Sequence, residues 1–388
     1  MQKDMGHKIS SEFTYINTAE GLSRLTEVLH GVVRIGLDTE ADSLHHYFEK
    51  VCLIQLSFSG ASYIVDPLAG FSLSEFLAVL SKKELIFQGA DYDLRMLKKS
   101  FDFRPEALVF DTMLAAQVLG YEKIGLAALA ERFCGVVLPK SGQKADWAKR
   151  PLSEKLLHYA ADDTRYLERI AGELTLNLRE LGREEWHRQC CERAVEISGR
   201  PDKSDSKEEW RIKGTSKLPP EALIFVRELW KWRDAEARRR DRPPFMILRN
   251  EDMIELAGWL AGNPVAPIER GPSCLKRIAG ENLTRLEEAI LCAKNCPAGD
   301  IQVPRRITMR ESAVSLEKVE ALRSACKEIA DALRIEPCFL ASRAAVMDIV
   351  RHRPASIEDV VKVSGMMRWQ AELIMPAIKT VLGHTPDV

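Results

Sequence analysis

Residues 32–66, VVRIGLDTEADSLHHYFEKVCLIQLSFSGASYIVD, decide the fold. Segments 32–37, 51–58 and 62–65 are rich in β-branched and aromatic residues, and the short connections with a Ser59-Gly60 turn suit an antiparallel meander of three strands. After Asp66-Pro67 the pattern changes to helix 74–81, strand 85–87, helix 92–99, strand 108–110 and helix 112–119. That alternation argues for an α/β layered sheet whose later strands run parallel. Further helices are expected at 125–134 and 153–170, and a longer one from 172 into the 190s.

The first strand runs straight into Asp38-Thr39-Glu40, and the two-residue alternation of an extended chain points side chains 38 and 40 to one face. Like charges this close raise each other's pKa unless a cation lies between them, so the pair invites a hard divalent metal with oxygen ligands. A second acidic element, Gln88-Gly89-Ala90-Asp91-Tyr92-Asp93, follows strand 85–87; Asp91 sits where a helix cap is expected and Asp93 inside the first turn. A third, 151–167, begins with a Ser153 cap and places Tyr159 and Asp163 four apart on one helical face, with Asp162 rotated by about 100°. Spacing alone leaves Asp91 against Asp93, and Asp162 against Asp163, undecided. Asp111 reads as a cap for the helix after it, Asp42 and Asp66 as loop residues.

Such a set could hold two ions about 4 Å apart over a phosphodiester, one acidifying a nucleophilic water and the other stabilising the departing 3′-oxygen. Tyrosine, with a reference pKa near 10, is a poor base at neutral pH, so Tyr159 is expected to orient that water.

Segment 198–207 is polar, charged and nearly free of large apolar groups, which marks a linker. Beyond it everything reads helical. Pro219 and Pro220 suit a helix start, Phe225, Leu229 and Trp232 form one apolar stripe to about Arg240, and Asn250 is the expected cap of a second helix burying Ile254, Ala257 and Leu260. An offset of 94 residues aligns Ala222, Phe225, Trp232 and Ala235 with Leu316, Val319, Cys326 and Ile329, and Pro243, Phe245 and Arg249 with Pro337, Phe339 and Arg343. Two copies of one helical module are implied.

At 388 residues two or three domains are expected. A net charge of −1 removes any general attraction to nucleic acid or anionic membrane, so such binding must come from local patches. The first residues, Met1 to Lys8, lack the apolar core of a signal peptide and no apolar run approaches about 20 residues, so a cytoplasmic protein is expected. Nine irregularly placed cysteines lack the paired spacing of a tetrahedral zinc site, and the His45-His46 pair reads as exposed loop. The densest positive run, Arg238, Arg239, Arg240 and Arg242, could neutralise nucleic-acid phosphates, and Lys140, Lys144 and Arg150 could guide a strand to the acidic site.

Leu37-Asp38-Thr39-Glu40, Gly89 to Leu94 and Tyr159 to Asp163 resemble the three motifs of the DEDDy 3′–5′ exonucleases, ribonuclease D especially. Phe110-Asp111-Thr112, 125–129 and 146–153 match the same family, so the similarity spans about residues 12–195. Leu229-x-x-Trp232-Arg233-Asp234-x-x-Ala237 and Asp241-x-Pro243-x-Phe245-x-x-x-Arg249 resemble its helicase-and-RNase-D C-terminal (HRDC) domain, with 316–380 as a second, weaker copy. Gln88 departs from the histidine frequent in relatives.

The resemblance implies an α/β RNase H-like exonuclease domain with a mixed sheet over 1–198, a linker at 199–215, and two all-α HRDC bundles at 216–298 and 299–388. It selects Asp93 over Asp91 and Asp163 over Asp162. Asp38, Glu40 and Asp163 would hold the nucleophile-side metal, Asp38 would bridge to the second, and Asp93 would hold that one through water, both ions being Mg²⁺ or Mn²⁺. The implied reaction releases nucleoside 5′-monophosphates from RNA 3′ ends, typically tRNA precursors, with a monomeric enzyme. A Werner-type DNA exonuclease and a noncatalytic RNA-binding scaffold are the alternatives.

Overall fold

The computed structural model describes residues 12–139, 142–200, 208–296 and 315–383. Its contacts divide the chain into two compact units, one of Met1–Ala41, Val51–Arg200 and Ile307–Val388, the other of Asp42–Lys50 and Pro201–Arg306.

In the first unit, β2 (Arg34–Ala41), β3 (Val51–Phe58) and β4 (Ala61–Val65) form the expected antiparallel meander. β5 (Glu84–Phe87) and β6 (Val109–Asp111) extend it in parallel beside β2. At the other edge β1 (Thr14–Ile16), which the pattern did not reveal, pairs in parallel with β4, so the mixed sheet has the order β1-β4-β3-β2-β5-β6.

Strand alternation assigns the faces. Ile35 and Leu37 of β2 are fully buried in a core shared with α1 (Ala19–His30), α2 (Ser74–Leu80) and α3 (Ala90–Phe101). Gly36, Asp38 and Glu40 therefore point to the opposite side. The chain next forms α4 (Thr112–Leu119), α5 (Leu126–Cys134) and α6 (Glu154–Arg165). Instead of one helix over 153–170, α6 ends at Tyr166, whose φ of −102° and ψ of −6° open a break before α7 (Leu167–Glu180) and α8 (Glu184–Ser198).

Apolar side chains of α4, α7 and α8 share one core with the C-terminal array α13 (Leu316–Leu333), α14 (Pro337–Leu340), α15 (Arg343–His352), α16 (Ile357–Ser364) and α17 (Arg368–Leu382). Trp186 stacks on Trp369 at 4.7 Å, and Arg183 donates to the Val118 and Leu333 carbonyls at 2.7 and 2.9 Å. The second unit packs α9 (Pro220–Arg240), α10 (Pro244–Ile247), α11 (Asn250–Gly262) and α12 (Glu281–Lys294) around Trp210, Leu229, Trp232 and Leu256. Residues 201–207 of the expected linker lie outside the described residues.

Both helical copies are present, but their register is 93 residues. Asp241 and Arg334 are equivalent left-handed caps, and Met253, Leu256 and Ala257 are buried opposite numbers of Val346, Ile349 and Val350. The 94-residue alignment matched Phe245 to Phe339, whereas both short helices begin one residue out of that frame, at Pro244 and Pro337. Asn250 is likewise not a cap. Arg249 occupies that position with extended backbone, and Asn250 Oδ1 accepts from Arg233 at 2.6 Å.

Candidate metal centre

The site is built where α6 crosses the sheet. A Cβ on Gly36 would lie 2.6 Å from Ser57 Oγ and 3.3 Å from the Thr164 carbonyl, so the missing side chain allows close approach of helix to strand. Ser57 Oγ donates to that same carbonyl at 2.6 Å and anchors the contact. Asp163, one residue earlier, then meets Asp38 and Glu40, two and four residues beyond Gly36 on the same face. A carboxylate oxygen from each of the three lies within 4.8 Å of the others.

Asp93 stands beside this trio without joining it. Its Oδ1 accepts from the Thr39 backbone N–H at 3.0 Å and from Thr39 Oγ1 at 2.6 Å, and the residue is buried. Thr39 thus fixes Asp93 while its neighbours 38 and 40 face Asp163; only its hydroxyl between two acids hinted at this in the sequence. The competing acids have other partners. Asp91 is not the cap of α3: Gly89 takes that position, and Asp91 is an exposed partner of Arg95 at 3.1 Å. Asp162 pairs with Arg165 on its own helix.

Asp111 caps α4 as expected, accepting from Met113 and Leu114 N–H at 2.8 and 3.2 Å. It also caps α3 through Gly89 and Ala90 at 3.0 and 2.8 Å, which orients the turn carrying Asp93. Gln88 bridges Thr112 Oγ1 at 2.6 Å and the Ile124 carbonyl at 2.8 Å.

Burial first, then mutual repulsion, raises the carboxyl pKa values. Glu40 rises to about 9 through burial, Asp163 and Asp93. Asp163 rises to about 7 through burial, Asp162 and Asp93. Asp38 is pushed well above the usual carboxylate range by burial and by Asp93, Asp163 and Glu40. Asp93 is raised to about 7 by burial against the lowering effect of both Thr39 bonds. A cluster of oxygen donors that resist simultaneous ionisation is a chemical match for hard divalent cations.

Tyr159 hydrogen-bonds Asp163, and its pKa moves upward through burial and the three surrounding carboxylates, so its hydroxyl stays protonated. Loop 142–150 braces the ring. Trp147 stacks on it at 6.2 Å, and a Cβ on Gly142, whose φ is 141°, would meet it at 2.7 Å. Neither brace was singled out from sequence, although Trp147 lies inside a motif stretch.

The expected cationic residues differ in their surroundings. Lys144 is exposed on this loop, whereas Lys140 lies outside the described residues. Arg150 is engaged inside the protein, forking onto Asp66 with two 2.7 Å bonds and donating to the Cys52 and Trp147 carbonyls. Asp66 is therefore no mere loop residue; it is buried and also accepts from Tyr15 at 2.5 Å. In the second unit Arg238 lies over Tyr47 and 3.9 Å from Asp234, Arg239 and Arg240 reach the buried Glu236 at 2.7 and 3.2 Å, and Arg242 is exposed. His46, expected as an exposed loop residue, is half-buried and contacts Asp241 at 2.7 Å.

Residues 13–179 match the 3′-5′ exonuclease family, and 223–260 and 315–381 match the HRDC domain. Ribonuclease D of Cronobacter turicensis is 30% identical over 253 residues, covering 64% of this chain and 68% of that protein. The exosome complex component 10 homolog of Caenorhabditis elegans is 29% identical over 71% of this chain, which spans only 32% of that longer protein. In fold the chain is similar to Escherichia coli RNase D, described as an exoribonuclease involved in structured RNA processing, with a TM-score of 0.72 at 22% identity over 97% of this chain and all of the other.

Proposed function

The chain belongs to the ribonuclease D family of 3′–5′ exonucleases, and from that premise we propose that it is a metal-dependent exoribonuclease trimming the 3′ ends of tRNA precursors to release nucleoside 5′-monophosphates. One observation carries the reading: Asp38 and Glu40 of β2 meet Asp163 of the sequence-distant α6, bringing three carboxylate oxygens within 4.8 Å inside the exonuclease match.

Asp38, Glu40 and Asp163 would hold one ion and Asp38 with Asp93 a second, both Mg²⁺ or Mn²⁺. When bound, such ions supply charge neutralisation at the scissile phosphate and acidify water at neutral pH. The chain's own residues set the geometry. Thr39 holds Asp93 against rotation, and the Gly36 contact fixes Asp163 above β2. Tyr159, kept protonated between its braces, offers a hydrogen bond that orients the attacking water rather than removing its proton. Lys144 and the exposed Arg242 are candidate phosphate contacts, while Arg150 serves the fold.

Among the described residues no helix is long and apolar enough to cross a membrane. The test is product mapping on a 5′-labelled tRNA precursor, an unstructured RNA and a matched DNA strand. Stepwise shortening that stops at the mature tRNA end supports the proposal. Trimming of DNA alone, or of neither strand, contradicts it.

A further inference from the structure

Within the second unit a cleft of about 100 Å³ is walled by Arg240, Arg249, Arg277 and Asp252, with Phe245 and Met246 beside them. Against these three guanidiniums stand two carboxylates, Asp252 and Glu236, which leaves an excess of one positive charge. Two acids hold these arginines from beneath. Asp252, with 11% of its side chain exposed, accepts two bonds of 3.0 Å from Arg249 and one of 2.8 Å from Arg277. Glu236, at 2%, lies 3.2 Å from Arg240, and with its amide nitrogen turned to Glu236 and its oxygen to Arg240, Asn282 bonds both, at 3.0 and 3.2 Å.

The guanidiniums point outward from these anchors, with side-chain exposures of 39%, 59% and 65% for Arg240, Arg249 and Arg277. Arg249 spends Nε and Nη2 on Asp252, so its Nη1 is turned to other partners. Planar forks already held in place lose little freedom on binding a tetrahedral oxyanion, which is the geometry phosphate requires. The cleft has room for at least one such group. Phe245 and Met246 are 48% and 47% exposed at the rim, where the aromatic ring beside the guanidiniums is a suitable platform for a base.

We propose that this cleft is a phosphate-binding subsite for single-stranded RNA, with Phe245 stacking the adjoining base. The inference rests on the exonuclease reading in taking RNA as the ligand, and it places the contact on Arg249 and Arg277, which the positive run 238–242 does not include.

The experiment uses the full chain in EDTA, so that the RNA stays intact, and follows anisotropy of a fluorescein-labelled single-stranded RNA across a salt series. Arg277→Gln should weaken binding about fivefold and the Arg249→Gln/Arg277→Gln pair about tenfold or more, the size expected of exposed ion-pair contacts with phosphate. The slope of log affinity against log salt should become shallower by about 0.7 for the lost phosphate contact. Phe245→Ala should weaken binding with the slope unchanged, and Lys327→Ala on α13 should alter neither. If the double variant fails to fold, Arg277→Gln decides alone, since Arg249 still neutralises Asp252. Wild-type affinity and slope in folded Arg277→Gln overturn the subsite, as does binding of inorganic phosphate lost in this variant while RNA binding is kept. Absence of metal-dependent trimming by the unaltered chain would instead count against the exonuclease reading.

Discussion

Replacing Thr39 by valine removes one hydroxyl from the centre and leaves the β-branched shape that suits a strand. The lost bond is the 2.6 Å contact from Thr39 Oγ1 to the buried Asp93 Oδ1; the backbone N–H at 3.0 Å remains. A hydrogen bond to a charged group contributes about 1.5–3 kcal/mol, and 1.36 kcal/mol corresponds to one pKa unit. Asp93, already at about 7, should therefore rise by about one to two units. At neutral pH the carboxylate would then be mostly protonated, and Mn²⁺ should bind about tenfold more weakly, with recovery above about pH 9. Calorimetric Mn²⁺ titrations at pH 7 and 9, with RNA trimming measured against Mn²⁺ at the same two pH values, check this. An unchanged Mn²⁺ dependence at pH 7, or a loss of equal size at both pH values, would refute the role given to Thr39.

Gly36→Ala should destabilise the first unit by about 1–3 kcal/mol and reduce trimming further than the stability loss explains, because a Cβ there would displace Ser57 Oγ from its bond to the Thr164 carbonyl and crowd that carbonyl at 3.3 Å, shifting α6 and Asp163; a urea melt and kcat measured together decide. Tyr159→Phe should fold normally yet lose about 10- to 100-fold in kcat with little change in KM, since it removes only the hydroxyl that hydrogen-bonds Asp163. Arg150→Gln should lower stability by about 3 kcal/mol, leaving buried Asp66 without its fork, while the salt slope of RNA binding stays at the wild-type value. Metal-free protein should lose stability as pH rises. The folded carboxyls at about 7 and 9 bind protons that an unfolded chain has already released near 4, so the stabilisation is whole below about pH 4 and lost through pH 9, and thermal melts in EDTA against Mn²⁺ should diverge most at pH 8–9.

The central acids were legible because strand alternation and helix spacing are local rules: Asp38 with Glu40, and Tyr159 with Asp163, share faces whatever the rest of the chain does. Choosing Asp163 over Asp162 was beyond spacing, and family resemblance made that choice; the structure adds that Arg165 occupies Asp162. Arg150 looked available for RNA because its partner Asp66 is 84 residues away. Strand β1 left no local signal, being three residues long and defined by its pairing with β4. The helical repeat was visible in its apolar periodicity but misregistered by one residue, since amphipathic helices tolerate neighbouring frames and the doubled Pro243-Pro244 offered the wrong anchor. Nothing in the pattern of 316–380 indicated that its apolar face would share a core with α4, α7 and α8.

The most direct test of the centre compares wild type with Asp38→Asn on 5′-labelled RNA in Mn²⁺ and in EDTA. A ladder shortening from the 3′ end in Mn²⁺ alone, abolished in the folded variant, is the result expected of a carboxylate-held metal site. Full metal-dependent trimming by Asp38→Asn, or trimming by wild type in EDTA, would contradict it.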